Sequence, residues 1–358
     1  MIAARHIKSG VDLFLKPENL QVTGSFKGRG AYYKISQLSD EEKQRGVIAC
    51  SAGNHAQGVA LAATHNGIKS LICLPDVAPI SKVEATKRLG AEICLVKGVY
   101  DDAYNKALEL KDKYGYTFIH PFDDDDVIAG QGTIGLEILD QLPDVDAVVV
   151  PIGGGGLISG VAFAIKQLRP QCKGYGVQAS GAPSMLNSVH DHKIERLDSV
   201  STIADGIAVK EPGEHTFDYC SKYVDEIVSV TDDEISAAIL ALIEQHKLVT
   251  EGAGAVSVAA VMFDKLPVKG KKVCCLLSGG NIDVNILSRV IERGLLMSGR
   301  SALITVELLD KPGQLRDVSS TIAEQGGNVV SVHYERANEG SDINGCFLRI
   351  QIETRNHD

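Results

Sequence analysis

Five short segments of this 358-residue sequence combine residue types that can do chemistry. In TGSFKGRGA, Lys27 follows Phe26 and is surrounded by Gly24, Ser25, Gly28, Gly30 and Ala31, small residues that leave room for a bulky group to approach its amine. Most lysines are solvated surface charges, and this context sets Lys27 apart. GGGGLISG, residues 153 to 160, follows the apolar run AVVVPI and opens a helical pattern. Consecutive glycines let backbone N–H groups converge on an anion, and the helix N-terminus adds its dipole. The dipole contributes about 0.3–1 kcal/mol and each charge-assisted N–H bond roughly 1.5–3 kcal/mol, so the nest of N–H groups outweighs the dipole. A flexible turn is the plain alternative, and four glycines between a strand and a helix favour a phosphate cradle over it.

The other segments are weaker alone. SAGNHAQG, residues 51 to 58, follows VIAC and opens another helix, so its free N–H groups, the Ser51 hydroxyl and the Asn54 amide can receive a carboxylate. The ordinary alternatives are a capping role for Asn54, a packed His55, and a Ser25 that caps the helix after Lys27. EGAGA supplies Glu251, and LLSGGN places Ser278 at a turn, where a serine is commonplace.

These segments need a scaffold, and the surrounding pattern predicts one. From Gly46 to Gln178, β-branched or apolar runs (VIAC, SLICLP, EICLV, TFIHPF, AVVVPI, GYGVQA) alternate with helical patterns. Repeated βα units imply parallel sheets covered on both faces, with ligands at the carboxyl ends of the strands. Thr231 and Glu234 form a capping-box pattern, Ser39 and Glu42 a weaker one, and KVCCLLSGGNID reads as another buried strand ending in a turn. The pattern changes at LMSGRS. Residues 301–358 then read strand, helix, strand, strand, which places a boundary near Gly299.

Composition narrows the class of function. Hydrophobic residues make up 44% and charged residues 23%, and no apolar run approaches the roughly 18 residues of a membrane span, so no membrane partner is expected. The opening MIAARHIKSG has no secretory-signal pattern, so a cytoplasmic location is expected. A net charge of -10 argues against broad nucleic-acid binding and for a small-molecule substrate. None of the eight cysteines pairs at a two-residue spacing, and five lie in apolar runs, so reduced core thiols are expected.

In combination, ENLQVTGSFKGRGA, SAGNHAQG, GGGGLISG, EGAGA and LLSGGN resemble the tryptophan-synthase-like (fold type II) pyridoxal phosphate enzymes, most closely the threonine dehydratase and serine racemase branch. The likeness covers about residues 11 to 295, and LLDKPGQL resembles the first strand and loop of an ACT regulatory domain. The resemblance implies an α/β fold with two doubly wound parallel-sheet subdomains. It divides the chain into a catalytic domain over residues 1–300, with a small subdomain of about residues 30–115 inserted in it, and a partial ACT-like α+β unit over residues 301–358.

The same resemblance implies pyridoxal 5'-phosphate bound covalently to Lys27, with Phe26 near its ring. Gly153, Gly154, Gly155, Gly156 and Leu157 would hold the phosphate, Asn54 the ring hydroxyl and Ser278 the pyridine nitrogen. Ser51, Ala52, Gly53, Asn54 and His55 would surround the substrate carboxylate, with Glu251 lining the site and Lys27 removing the α-proton. A serine at the pyridine nitrogen leaves the ring a weaker electron sink than a carboxylate would, which favours early loss of a leaving group.

Two differences select a dehydratase within the branch. Serine racemases typically carry a second serine where this chain has Ala52, and a metal-binding Glu and Asp where it has Gln178 and Ser184, so no metal and little racemisation are expected. The reaction implied is elimination of water from L-threonine, with L-serine poorer. Alternatives are a serine dehydratase or racemase, a β-replacement enzyme of the same fold, or a non-catalytic amino-acid sensor. A homodimer or homotetramer is implied, with a branched-chain amino acid or nucleotide effector near Leu309, Gly313 and Leu315. Two family features are not found: a Thr-Pro-Leu segment ahead of VDLFLK, and a final helix and strand after the third strand of the tail.

Overall fold

The apolar runs Val47–Cys50, Ala147–Pro151 and Lys272–Leu277 form strands buried along almost their whole length, whereas the apolar run in Glu92–Val96, at a sheet edge, is not buried. The structure, a computed structural model, describes residues 1–5, 7, 10–336 and 345–355. One sheet has six strands in the order β1 (Ile2–Ala3), β2 (Asp12–Pro17), β10 (Lys272–Leu277), β7 (Ala147–Pro151), β8 (Lys173–Ala179) and β9 (Glu226–Val230). All its pairings are parallel except that of β1 with β2. A second, wholly parallel sheet runs β5 (Glu92–Val96), β4 (Ser70–Pro75), β3 (Val47–Cys50) and β6 (Thr117–Phe118). It is built from chain inserted between β2 and β7 of the first. The expected strand TFIHPF keeps only two residues, because His120 Nδ1 accepts from the N–H groups of Phe122 and Asp123 and turns the chain.

Helices between the strands carry the expected start signals. Both capping boxes form: Ser39 with Glu42 opens α2 (Asp40–Arg45), and Thr231 with Glu234 opens α10 (Asp232–Ala241). Asp124 opens α6 (Asp125–Gln141), its carboxylate accepting from Asp126 N at 2.9 Å and Val127 N at 3.1 Å. The helix after Lys27, α1 (Lys27–Ser36), is different: its N-cap is Phe26, so Ser25 does not cap it, and the Ser25 hydroxyl is buried without a partner. All eight cysteines are free thiols, and all but Cys94 are buried.

Packing divides the chain between Asp283 and Val284, earlier than the boundary expected near Gly299, because α12 (Val284–Met297) packs with the strand that follows it. The second unit then has β11 (Ser301–Leu309), α13 (Gln314–Glu324), β12 (Asn328–Arg336) and β13 (Gly345–Glu353). Its sheet is antiparallel in the order β11-β13-β12.

Three glycine contacts bring the helices around Lys27 unusually close. A β-carbon at Gly130 in α6 would lie 2.6 Å from Gly30 Cα and 2.7 Å from Arg29 O. One at Gly58 in α3 (Asn54–His65) would lie 2.9 Å from the Lys27 carbonyl carbon, and one at Gly132 would lie 3.0 Å from Gly160 O in α7 (Gly156–Leu168). Glycine is required at such crossings because backbone meets backbone and neither side can yield alone. Replacing Gly130 by alanine is expected to lower stability by about 1–3 kcal/mol through overpacking. Denaturant unfolding checks this, and an unchanged midpoint would contradict the crossing geometry.

Candidate active site

Lys27 begins α1 with its amine directed inward. Its Nζ donates to Pro121 O at 2.7 Å and lies 5.3 Å from the centre of the Phe26 ring. The residue is half-buried as a whole, while the amine itself is surrounded by protein like an interior group. Burial lowers the Lys27 pKa to about 8, with Glu251 pulling weakly in the other direction. The segment is held at both ends. Phe26 N donates to Ser278 O at 3.1 Å, and Ser25 bridges to Gly279. Arg29 donates to Glu18 Oε1 and Oε2 and to Glu137 Oε1 and Oε2, while Lys16 also pairs with Glu137 at 2.5 Å. The Arg29 hydrogen bond is the largest influence holding Glu137 down to about 2, so the Glu137 carboxylate stays ionised across the physiological range.

The four-glycine turn packs on Phe122, the residue after the Pro121 whose carbonyl Lys27 meets. Among the described residues, the N–H groups of Gly154, Gly155, Gly156 and Leu157 meet no protein acceptor, as expected of the first turn of α7. Side chains at these positions are excluded by what packs outside the turn. A β-carbon would lie 3.1 Å from Ile207 Cα at Gly153, against the Phe122 ring at Gly154, and 2.8 Å from Phe122 Cα at Gly156. Gly155 also has φ +101°, a left-handed conformation that glycine adopts without strain. Thr216 in α9 (Glu214–Tyr223) is fully buried and donates to Gly154 O at 2.6 Å. Asp123 in turn accepts from Glu214 N and Thr216 N at 3.2 Å, so the chain segment that supplies Pro121 O also anchors the brace on the glycine turn.

The third turn, Ser51 to Asn54, closes the site from the inserted sheet. Gly53, not Asn54, is the N-cap of α3, and the Ser51 hydroxyl accepts from Gly53 N at 3.1 Å. Ala52 follows Ser51 and offers no titratable group. His55 is 3% exposed, and its Nε2 donates to Ile119 O at 2.8 Å. Burial, reinforced by Lys27, lowers its pKa to about 3, so its ring is a neutral packed imidazole. Asn54 Nδ2 donates to Glu251 Oε1 at 2.7 Å, and Glu251 precedes α11 (Gly252–Met262). Burial, followed by the repulsion of Asp205, raises Glu251 to about 7, opposed by the Asn54 hydrogen bond and by Lys82 and Lys27. Ser278, 3% exposed, donates to Ala253 O at 3.3 Å.

Gln178 and Ser184 border the glycine turn: Gln178 Nε2 donates to Ile152 O at 3.4 Å, and the side chain of Met185, next to Ser184, packs on Gly155. Gln178 Oε1 accepts from Leu186 N at 2.8 Å, and Ser184 Oγ donates to Val209 O at 2.8 Å. In the C-terminal unit, Leu309 ends β11, Gly313 is the N-cap of α13 with φ +97°, and Leu315 lies in its first turn, with both leucines exposed.

A lysine amine with a lowered pKa, beside a turn of unpaired N–H donors, suits an aldehyde-bearing phosphate. The family model for pyridoxal-phosphate dependent enzymes matches residues 2–279. This chain belongs to that family. Over 97% of its length it is 54% identical to the L-threonine ammonia-lyase of Thermotoga maritima, covering 86% of that protein. Among solved structures it is similar to the processed form of threonine deaminase isoform 2 from Solanum lycopersicum (43% identity, TM-score 0.80, covering 82% of each chain). It is also similar to maize serine racemase (36% identity, TM-score 0.77, covering 83% of this chain and 92% of that one). The pyridoxal-phosphate enzyme fold is therefore the one observed here, and the family's cofactor is this chain's cofactor. The unpaired N–H groups of the glycine turn and the buried Lys27 amine fit it.

Sequence reasoning did not single out Pro121, Asp123 or Thr216, and it took Asn281 only as a neighbour of Ser278 in LLSGGN. The segments of the first three, HPFDDDD and GEHTF, have no signal until folding sets them against the turn and the lysine.

Burying an amine costs stability when it must carry charge, so Lys27 is tested without any ligand. With a folded pKa near 8 against 10.5 unfolded, the penalty is full below about pH 8 and is relieved as pH rises toward 10.5. In cofactor-free protein, Lys27→Met is expected to stabilise the fold by about 1–2 kcal/mol at pH 7, after allowing for cleft water, and by less at pH 10. Denaturant unfolding at both pH values measures this, and a destabilised variant at pH 7 would contradict the desolvation argument.

Proposed function

We propose that this chain is an L-threonine ammonia-lyase that eliminates water from L-threonine and releases 2-oxobutanoate and ammonia, with L-serine as a poorer substrate. The observation that carries the reading is the Lys27 amine held against Pro121 O beside the unpaired N–H groups of the glycine turn. The 54% identity to a protein named L-threonine ammonia-lyase supports the choice of substrate. Water leaves across the Cα–Cβ bond and returns when the nitrogen is hydrolysed off, so threonine is balanced by one 2-oxobutanoate and one ammonia.

Bound pyridoxal phosphate supplies the electron-withdrawing ring that makes the α-proton of an attached amino acid removable. Lys27 binds it covalently, with Phe26 alongside, and Gly153, Gly154, Gly155, Gly156 and Leu157 hold its phosphate by backbone N–H groups. Asn54 reaches the ring hydroxyl and Ser278 the ring nitrogen. Ser51, Ala52, Gly53, Asn54 and the backbone of His55 surround the substrate carboxylate, and Glu251 lines the pocket. Lys27 Nζ removes the α-proton; its pKa near 8 makes the neutral amine accessible around neutral pH. Ala52 can return no proton on the opposite face, which favours elimination over racemisation. Gln178 and Ser184, engaged in internal hydrogen bonds, leave no carboxylate for a divalent ion at those positions.

We assign the C-terminal unit as an ACT-like domain in which Leu309, Gly313 and Leu315 face a branched-chain amino acid or nucleotide effector. The motif LLDKPGQL supports this assignment. We expect a homodimer or homotetramer in the cytoplasm; among the described residues no helix is long and apolar enough to cross a membrane.

Lys27→Ala is expected to abolish both the visible absorbance of the bound cofactor and threonine turnover; retained ammonia release would refute its role. Thr216→Val keeps the volume but removes the bond to Gly154 O, and is expected to weaken cofactor affinity about tenfold. Equilibrium titration with pyridoxal phosphate measures this, and unchanged affinity would argue against the cradle.

A further inference from the structure

Asn281, in the turn after β10, has both of its amide hydrogens committed. Its Nδ2 lies 2.7 Å from Thr23 O and 2.7 Å from Asn54 Oδ1. A backbone carbonyl only accepts, so the contact with Thr23 O fixes which end of the Asn281 amide is nitrogen. The Asn54 atom facing that nitrogen must then be its oxygen, and the Asn54 nitrogen is turned the other way, toward Glu251 Oε1 at 2.7 Å. We propose that Asn281 is a positioning residue of this site, locking the Asn54 amide so that its nitrogen donates toward Glu251 and the cofactor ring. This rests on the proposed placement of the ring at Asn54.

The lock has a chemical consequence. Asn54 Nδ2 carries two hydrogens, one given to Glu251 and the other left for an oxygen in the pocket. A reversed amide would present Oδ1 to both acceptors and satisfy neither. The surroundings leave space for this relay and little else. A β-carbon at Gly279 would lie 3.1 Å from Asn54 Nδ2 and 3.1 Å from Glu251 Cδ, and one at Gly24 would collide with the Asn281 amide. The charged groups around Glu251 are Lys27 from α1, Lys82 from α4 (Ile80–Arg88) and Asp205 from the short turn Asp205–Ile207. Lys82 is itself paired with Asp205 at 3.3 Å. The Asn54 N–H is thus the hydrogen bond that favours the Glu251 carboxylate, and losing it shifts Glu251 toward its protonated form.

The test compares Asn281→Leu and Asn281→Asp, both close in shape to asparagine and neither able to donate. In each, cofactor affinity should fall about tenfold, and the pH at which the bound cofactor's absorbance titrates should move upward. Carbon NMR of the Glu251 carboxyl in cofactor-free full-length protein, assigned with Glu251→Gln, should show its midpoint rising in both variants. Thermal unfolding reports any loss of fold separately. An unchanged Glu251 midpoint in folded Asn281→Leu would overturn the proposal, whatever the cofactor affinity. So would a shift confined to Asn281→Asp, which would reflect its added charge. Wild-type protein that shows no visible band with pyridoxal phosphate would strike at the cofactor reading, whereas the NMR titration, needing no cofactor, decides the role of Asn281 by itself.

Discussion

The structure of the first unit is arranged around one unfavourable act, the removal of a lysine amine from water. Lys27 meets a backbone carbonyl rather than a carboxylate, so its charge is only partly compensated and its pKa falls toward 8. Left to itself, such a side chain would swing out into the cleft. What prevents it is the backbone beneath: Phe26 is tied to Ser278, Arg29 is clamped between Glu18 and Glu137, and α3 and α6 approach closely at Gly58 and Gly130. The strong, exposed-to-buried ion network sits two residues from the lysine and takes no part in its charge. It anchors the helix while leaving the amine free to exchange a proton.

A second constraint follows from the first. A neutral amine is useful only beside an electron-withdrawing partner held at fixed distance, and the group proposed to do the holding is main chain. The N–H groups of the glycine turn meet no protein acceptor among the described residues, and Ile207, Phe122, Met185 and Thr216 leave no room for side chains on the turn. Backbone donors cannot rotate away or lose a proton, so they place an anion more rigidly than lysine or arginine side chains would. Glu251, driven up to about 7 by burial, mirrors Lys27, lowered to about 8 by the same cause, so burial shifts the two toward neutrality from opposite directions. Asn54 and Asn281, bonded in series to Glu251, are neutral groups that give hydrogen bonds a direction without adding charge.

The C-terminal unit follows different rules. Its antiparallel sheet alternates inward and outward residues along β11, whereas β3, β7 and β10 are buried on both faces. That contrast of period-two alternation with continuous apolar runs is why the change of architecture was legible in the sequence. The exact division was not, because α12 has an ordinary amphipathic pattern and only its packing with β11 assigns it to the second unit.

The sequence by itself determined the parallel βα scaffold, the two capping boxes, the glycine turn and the unusual setting of Lys27. Each of these is local: apolar periodicity, a serine or threonine three residues before a glutamate, and runs of glycine act over a few residues. Tertiary structure alone decided what faces the lysine. Pro121 and Thr216 lie 94 and 189 residues from Lys27 along the chain and belong to no site motif, while Asn281, 254 residues away, ends LLSGGN, which by itself says nothing of its bond to Asn54. It also decided between the two readings of His55, whose ring is consumed by Ile119 O, and of Asn54, which leaves the cap to Gly53 and turns to Glu251. Hydrogen-bond partners are chosen by which strands pair and which helices cross, and those choices rest on burial summed over the whole core rather than on any short stretch of residues.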